Sequence, residues 1–111
     1  MATFITIGYG DRAGYDSTDP DVRDRAHAAD QALVERGAVI GVADRPVQVR
    51  NHDDAGIDVV EGPFATTPLP VAGFAVIEAD SLEEAVEIAA QAPCAVAQGV
   101  VEVWPLVGGP G

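Results

Sequence analysis

Glu61-Gly62-Pro63-Phe64 joins two strand-like runs, Ile57-Asp58-Val59-Val60 before it and Gly73-Phe74-Ala75-Val76-Ile77-Glu78 after it. Glycine tolerates backbone conformations closed to other residues, and proline fixes φ and donates no hydrogen bond. The tetrapeptide therefore reads as a stiff turn between strands. Phe64, just past the turn, is placed to enter a core or a pocket. Val71 to Glu78 is the most apolar run of the chain, so it is expected as a central strand.

Outward from the turn, Val47 to Asn51 alternates Val47 and Val49 with Gln48 and Arg50, the period of a strand. His52 to Gly56 reads as a turn, so Ile57 to Val60 pairs back as a hairpin arm. Ala38 to Val42 and Gly99 to Trp104 are two further strands, and Phe4 to Tyr9 is the first. Two helices complete the order. Asp19-Pro20 opens one, with aspartate as cap and proline in the first turn. Val22, Ala26, Ala29 and Leu33 give it a narrow apolar stripe, and Gly37 ends it in a left-handed conformation. Ser81 and Glu84 form a capping box for the other, with Leu82, Ala85, Val86 and Ala89 on its apolar face and Pro93 at its end. Arg12 to Thr18 is expected as a polar loop. Ala65 to Pro70 is expected as a Thr- and Pro-rich loop. The sum is an α+β sandwich close to the ferredoxin-like β-α-β-β-α-β plan, with an extra hairpin arm. Residues 1–106 are expected as one domain and 107–111 as a disordered tail. Helices on one side leave the other sheet face bare. Strands this apolar suggest that the bare face meets a partner.

Composition narrows the function classes. The 111 residues carry 18 acidic and 6 basic groups, a formal net charge of −12. Every basic residue apart from the two histidines is arginine. So acidic a chain repels phosphate backbones and anionic bilayers, so neither nucleic acid nor membrane is an expected partner. The single cysteine, Cys94, permits no internal disulfide, and the N-terminus lacks a basic leader. A cytoplasmic protein is the expectation. Cys94 itself reads as an inert thiol. No cofactor is expected: Gly8-Tyr9-Gly10 lacks the third glycine of a phosphate-binding loop, and no Gly-x-Ser-x-Gly elbow is present. The scattered histidines and cysteine form no metal-ligand pattern, so no metal is expected either.

From Glu61 to Leu106 the chain resembles the C-terminal half of the YCII-related family. Glu61-Gly62-Pro63-Phe64 is similar to its Asp-Gly-Pro-Phe signature, with glutamate in the acidic place. Gly73-Phe74, Val76-Ile77-Glu78, Asp80 to Ala85 and Val101 to Leu106 resemble the segments that follow it. Tyr9-Gly10-Asp11 is similar to the end of its first strand. The resemblance implies a dimeric α+β barrel, two sheets face to face, and hence a homodimer. It also implies membership of a wider group rich in cofactor-free catalysts. Two departures stand out. Many relatives follow the tetrapeptide with an acid and a lysine, where this chain has Thr66-Thr67-Pro68-Leu69-Pro70. Relatives also carry a histidine on the first helix with a nearby aspartate. Here His27 stands one residue out of that register, and Glu35 occupies the acidic position two before Gly37.

Two candidate catalytic residues follow. His27 has Asp30 and Gln31 at i+3 and i+4, and a histidine beside a carboxylate can shuttle protons near neutral pH. The plainer reading is a solvated histidine at the helix edge. Glu61, held by the Gly-Pro step, can act as base or orient a ligand; alternatively it accepts backbone N–H groups and pins the turn. Tyr9 and Asp11 suit a pocket wall, Arg50 suits a carboxylate, and Phe64 suits an apolar contact, so these four are candidate ligand-binding residues. Simple packing, or a wet strand face for Arg50, is the alternative for each. The expected function is a small dimeric protein that binds a small organic molecule, as a cofactor-free lyase- or isomerase-type catalyst. The alternative is a non-catalytic ligand-binding or regulatory module.

Overall fold

The structure, a computed structural model, describes residues 1–108. Three residues of the expected tail, 109–111, lie outside the described residues. Six strands and four helices follow in order: β1 (Ala2–Tyr9), α1 (Arg12–Asp16), α2 (Pro20–Glu35), β2 (Val39–Val42), β3 (Val47–Arg50), β4 (Asp58–Glu61), β5 (Val71–Ala79), α3 (Leu82–Ala89), α4 (Pro93–Val96) and β6 (Val100–Pro105). Four strands form one antiparallel sheet in the order β2-β5-β1-β6. β3 and β4 form a separate two-stranded antiparallel sheet, the arm. The architecture is the expected ferredoxin-like α+β plan with a hairpin inserted between β2 and β5, and β5 is central.

Alternation along β1 sorts the two faces of the sheet. Phe4, Thr6 and Gly8 are buried, while Thr3, Ile5, Ile7 and Tyr9 are only half-buried. Phe4 stands opposite Ile77, which with Ala79 and Ala85 forms the core. Ala38, Ala75, Ile88 and Val103 close around it. α3 packs on β5 and β6, and α4 packs on β1 and β6. α2 rests on α4 and meets the sheet mainly at its edge strand β2. The other face carries Ile5, Ile7, Phe74, Val76 and Trp104 in register and has no helix over it. Phe74 is 49% and Trp104 55% exposed.

The helix signals hold where the side chains cap. Asp19 accepts from the Asp21 amide and Ser81 from the Glu84 amide. Gly37 has φ of +101°. Three local expectations are corrected. The stretch expected as a loop from Arg12 contains α1, because Asp11 Oδ1 accepts from the Gly14 amide at 2.8 Å and nucleates the turn. Pro93 does not simply end a helix. It starts α4, where a proline without an N–H fits the first turn. On α3, Ala85 and Ala89 are buried but Leu82 and Val86 are about half exposed. α3 meets the sheet through Ala85, Ala89 and Ile88, and Leu82 and Val86 fall outside that contact.

Candidate functional site

A cavity of about 880 Å³ lies between α2 and the sheet. It exists because side chains are missing from its floor. Gly8 and Gly10 at the end of β1 and Gly73 in β5 leave it open, and the backbone of Gly41 in β2 borders it. Two of these are glycine by necessity. A Cβ on Gly8 would stand 2.9 Å from Cys94 Sγ, and one on Gly73 would stand 2.7 Å from the Gly41 carbonyl oxygen. Neighbouring strands and the back wall therefore approach more closely than any side chain allows. Ile40, Val42 and Ala75 make the rest of the floor apolar.

The polar groups enter from the helices. α1 supplies Tyr15, α2 supplies His27 and Asp30, and α4 supplies Cys94. Tyr15 Oη and His27 Nε2 are joined by a 2.8 Å hydrogen bond, in which either atom can carry the proton according to the ring tautomer. Tyr15 is itself clamped. The Arg23 guanidinium lies 4.6 Å from its ring centroid, and Arg23 Nη1 donates to the Tyr15 carbonyl at 3.2 Å. Thr18, buried, ties α1 down by donating to the Gly14 carbonyl at 2.8 Å. His27 is exposed, so the pair stands at the cavity mouth, with Asp11 and Arg12 beside it. Asp30 is half-buried. Burial raises its pKa, and the nearby His27 charge opposes that rise. Burial likewise raises the Cys94 pKa, and the Asp30 carboxylate adds to it. At neutral pH Cys94 is a protonated, poorly nucleophilic wall group.

The six candidate residues are divided among three places. His27 and Asp11 line the cavity, and Asp11 also spends one oxygen on capping α1. Tyr9 belongs to the open sheet face. Its hydroxyl donates to Glu102 Oε1 at 2.6 Å, and this bond, followed by burial and the carboxylate charge, raises its pKa. Trp104 Nε1 lies 3.4 Å from the same oxygen. Arg50 and Phe64 share a shallow hollow of about 330 Å³ on the arm. Phe64 is 82% exposed rather than buried in a core, with the Arg50 guanidinium 5.8 Å from its ring centroid. Glu61 is an exposed residue of β4 and lines neither hollow. Within one chain, His27 and Glu61 thus do not share a cavity. The turn after Glu61 is pinned by Gln48, whose amide donates to the Gly62 and Pro63 carbonyls at 3.1 and 3.3 Å.

Tyr15 and Glu102 are site residues that no motif in the sequence marks. Tyr15 was hidden because its segment reads as loop; the Asx-type cap from Asp11 to Gly14 is the local signal for α1. Glu102 becomes a partner of Tyr9 only through the pairing of β1 with β6. Among the described residues, no group of three or more His, Cys, Asp or Glu side chains is arranged to hold a metal ion. No helix among them is long and apolar enough to cross a membrane.

Comparison with curated proteins gives no match. A family model does match: the YCII-related domain, over residues 4–107, nearly the whole length. The matched span takes in the glycine floor, the Tyr15–His27 pair and the arm alike, and the chain belongs to the YCII-related domain family.

Proposed function

We propose that the glycine-floored cavity binds a small organic molecule and that His27 moves a proton on it, without a cofactor. The observation that carries this reading is the Tyr15–His27 hydrogen bond at the mouth of a cavity with an apolar floor. A histidine held by a clamped tyrosine has one nitrogen fixed and the ring oriented, as a general base requires. The imidazole takes a proton from an acidic carbon or hydroxyl of the ligand. Returned to another atom of the same molecule, the proton completes an isomerisation. If a leaving group departs first with its electron pair, the step is an elimination. Neither needs a co-reactant. Tyr15 is the neighbouring hydroxyl able to stabilise the developing oxyanion.

A second reading is a non-catalytic ligand-binding or regulatory module. Two observations favour it. The loop Thr66 to Pro70 carries no acid or lysine. Glu61 lines no cavity with His27. On either reading the working unit is a homodimer in the cytoplasm. The half-exposed apolar face of β2-β5-β1-β6 supports the dimer, and the lone free thiol supports a reducing compartment. Light scattering at micromolar concentration tests the dimer and should give twice the chain mass; the mass of one chain refutes it.

The site is tested by screening small organic acids and enolisable carbonyl compounds against the 15N-labelled protein. Amide shifts should cluster at Gly8, Gly10, Gly41 and Gly73. For a ligand that binds, exchange of its acidic hydrogens with D2O should be accelerated by the protein and not by His27→Gln. Shifts without exchange select the binding-module reading. Shifts confined to other surfaces overturn both.

A further inference from the structure

The cavity carries its charges unevenly. Arg12 is the one arginine that lines it, and the chain has no lysine. Among the described residues, the arginine side chains that hydrogen-bond are Arg23 and Arg50, and the one ion pair joins Arg23 to Asp16 at 4.0 Å. Arg12 is therefore an unpaired cation there. Asp11 is its neighbour in the chain but turns Oδ1 to the Gly14 amide instead. A guanidinium without a partner keeps its five donors for a ligand or for water.

Arg12 stands three residues before Tyr15 in α1, the spacing that sets two side chains on one helix face, about 5–6 Å apart at Cβ. Both line the cavity, as does His27. Behind the Tyr15 ring lies a second guanidinium, that of Arg23, 4.6 Å from the centroid. Its positive charge favours negative charge at Tyr15 Oη. With His27 Nε2–H donating to that oxygen, the hydroxyl hydrogen is free to meet an acceptor. Two of six arginines thus flank one hydroxyl, in a chain with 18 acidic residues. The acidic excess acts weakly at this point, because physiological salt screens exposed charges beyond about 8 Å.

The inner wall is different. The Asp30 carboxylate lies near enough to Cys94 to help raise its pKa, and Cys94 stands behind Gly8. That wall repels an anion. The floor of Ile40, Val42 and Ala75 suits a hydrocarbon group.

We propose that the ligand is a small monocarboxylate with an apolar body, its carboxylate held by Arg12 and Tyr15 at the mouth and its hydrocarbon part on the glycine floor. The inference rests on the reading of the cavity as the ligand site and names the class of ligand. A planar guanidinium meets a carboxylate through two parallel hydrogen bonds, a pairing that a neutral amide matches only in part and an ammonium group not at all. The carbon next to the carboxylate then lies at the rim that holds His27. Arg12 is the specificity-determining residue of the site.

Three probes of similar shape test it: phenylacetate, phenylacetamide and phenethylammonium, each titrated into the 15N-labelled protein. Phenylacetate should shift the amides of Gly8, Gly10 and Gly73 and bind about tenfold or more tightly than the other two. Arg12→Gln should remove that advantage and leave the weaker phenylacetamide binding unchanged. Added salt should weaken phenylacetate and not phenylacetamide, a readout that needs no variant and stands if Arg12→Gln fails to fold. Equal binding of all three probes in the cavity, tighter binding of phenethylammonium, or full phenylacetate affinity in Arg12→Gln overturns the carboxylate assignment and leaves the cavity standing as a ligand site. No cavity shift from any of the three at millimolar concentration overturns both.

Discussion

Gly8 should be irreplaceable only as long as Cys94 stands behind it. A Cβ at residue 8 would meet Cys94 Sγ at 2.9 Å and Cys94 Cβ at 3.2 Å, with the Gly73 carbonyl at an ordinary 3.8 Å. Gly8 is a buried strand residue, and the thiol belongs to α4, which packs on β1. Overpacking of this kind costs about 1–3 kcal/mol, and the strand preference for alanine over glycine returns about 0.5–1 kcal/mol. Gly8→Ala should therefore destabilise by about 1–2 kcal/mol. Cys94→Ala removes the sulfur that makes the tighter contact, and half-burial of that atom makes its own loss about 1 kcal/mol. In the Cys94→Ala background only the 3.2 Å contact remains, which a shift of a few tenths of an ångström relieves. The second Gly8→Ala step should then be nearly neutral. The coupling between the two sites is about 1 kcal/mol or more, in the direction of rescue. Urea unfolding of the four proteins with a common m-value measures it. Additivity within about 0.5 kcal/mol would show that the back wall does not press on the floor and refute the account of the cavity.

Two further outcomes follow. Gly62→Ala puts a side chain at φ +101° with no atom within 4 Å, so the cost is backbone strain alone, about 1 kcal/mol or more. It should appear as faster hydrogen exchange of amide 62, which donates to Pro46; unchanged exchange would refute the strain. Asp30→Asn should change the pH dependence of stability. Burial raises the Asp30 pKa in the folded state, so the folded protein binds this proton more tightly than the unfolded chain does, and wild-type stability falls as pH rises through that interval. The asparagine variant should match wild type in acid and exceed it at neutral pH. It should also alkylate at Cys94 at lower pH than wild type, since the carboxylate that helps to raise the thiol pKa is gone. Superimposed profiles for both readouts would sink this account.

Much of the fold was legible because its signals are local. Asp19-Pro20, Ser81 with Glu84, and Gly37 each act through backbone groups within a few residues, so their types announce the helix ends. Strand alternation in Val47 to Arg50 needs no knowledge of the partner strand either. α1 escaped because its cap is one aspartate ahead of a glycine-containing segment. The candidate site was legible residue by residue but not as a set. His27 was visible from its neighbours Asp30 and Gln31, whereas its hydrogen-bonded partner Tyr15 comes from another helix. Tyr9 and Asp11, two apart in sequence, separate because β1 ends at Tyr9, on the open sheet face, and the chain then turns so that Asp11 caps α1.

By itself, the sequence determined the element order, the family, the acidic character and the stiff joint at Gly62-Pro63, because each depends on residue type or on contacts within a turn. Tertiary structure alone decided that Gly8 and Gly73, from neighbouring strands, coincide to hollow out one cavity. It also paired Tyr15 with His27, and it left Glu61, Arg50 and Phe64 on an arm away from them. These facts depend on strand register and helix packing between residues far apart in sequence, such as Gly8 with Gly73 and with Cys94, and no local pattern encodes such distances.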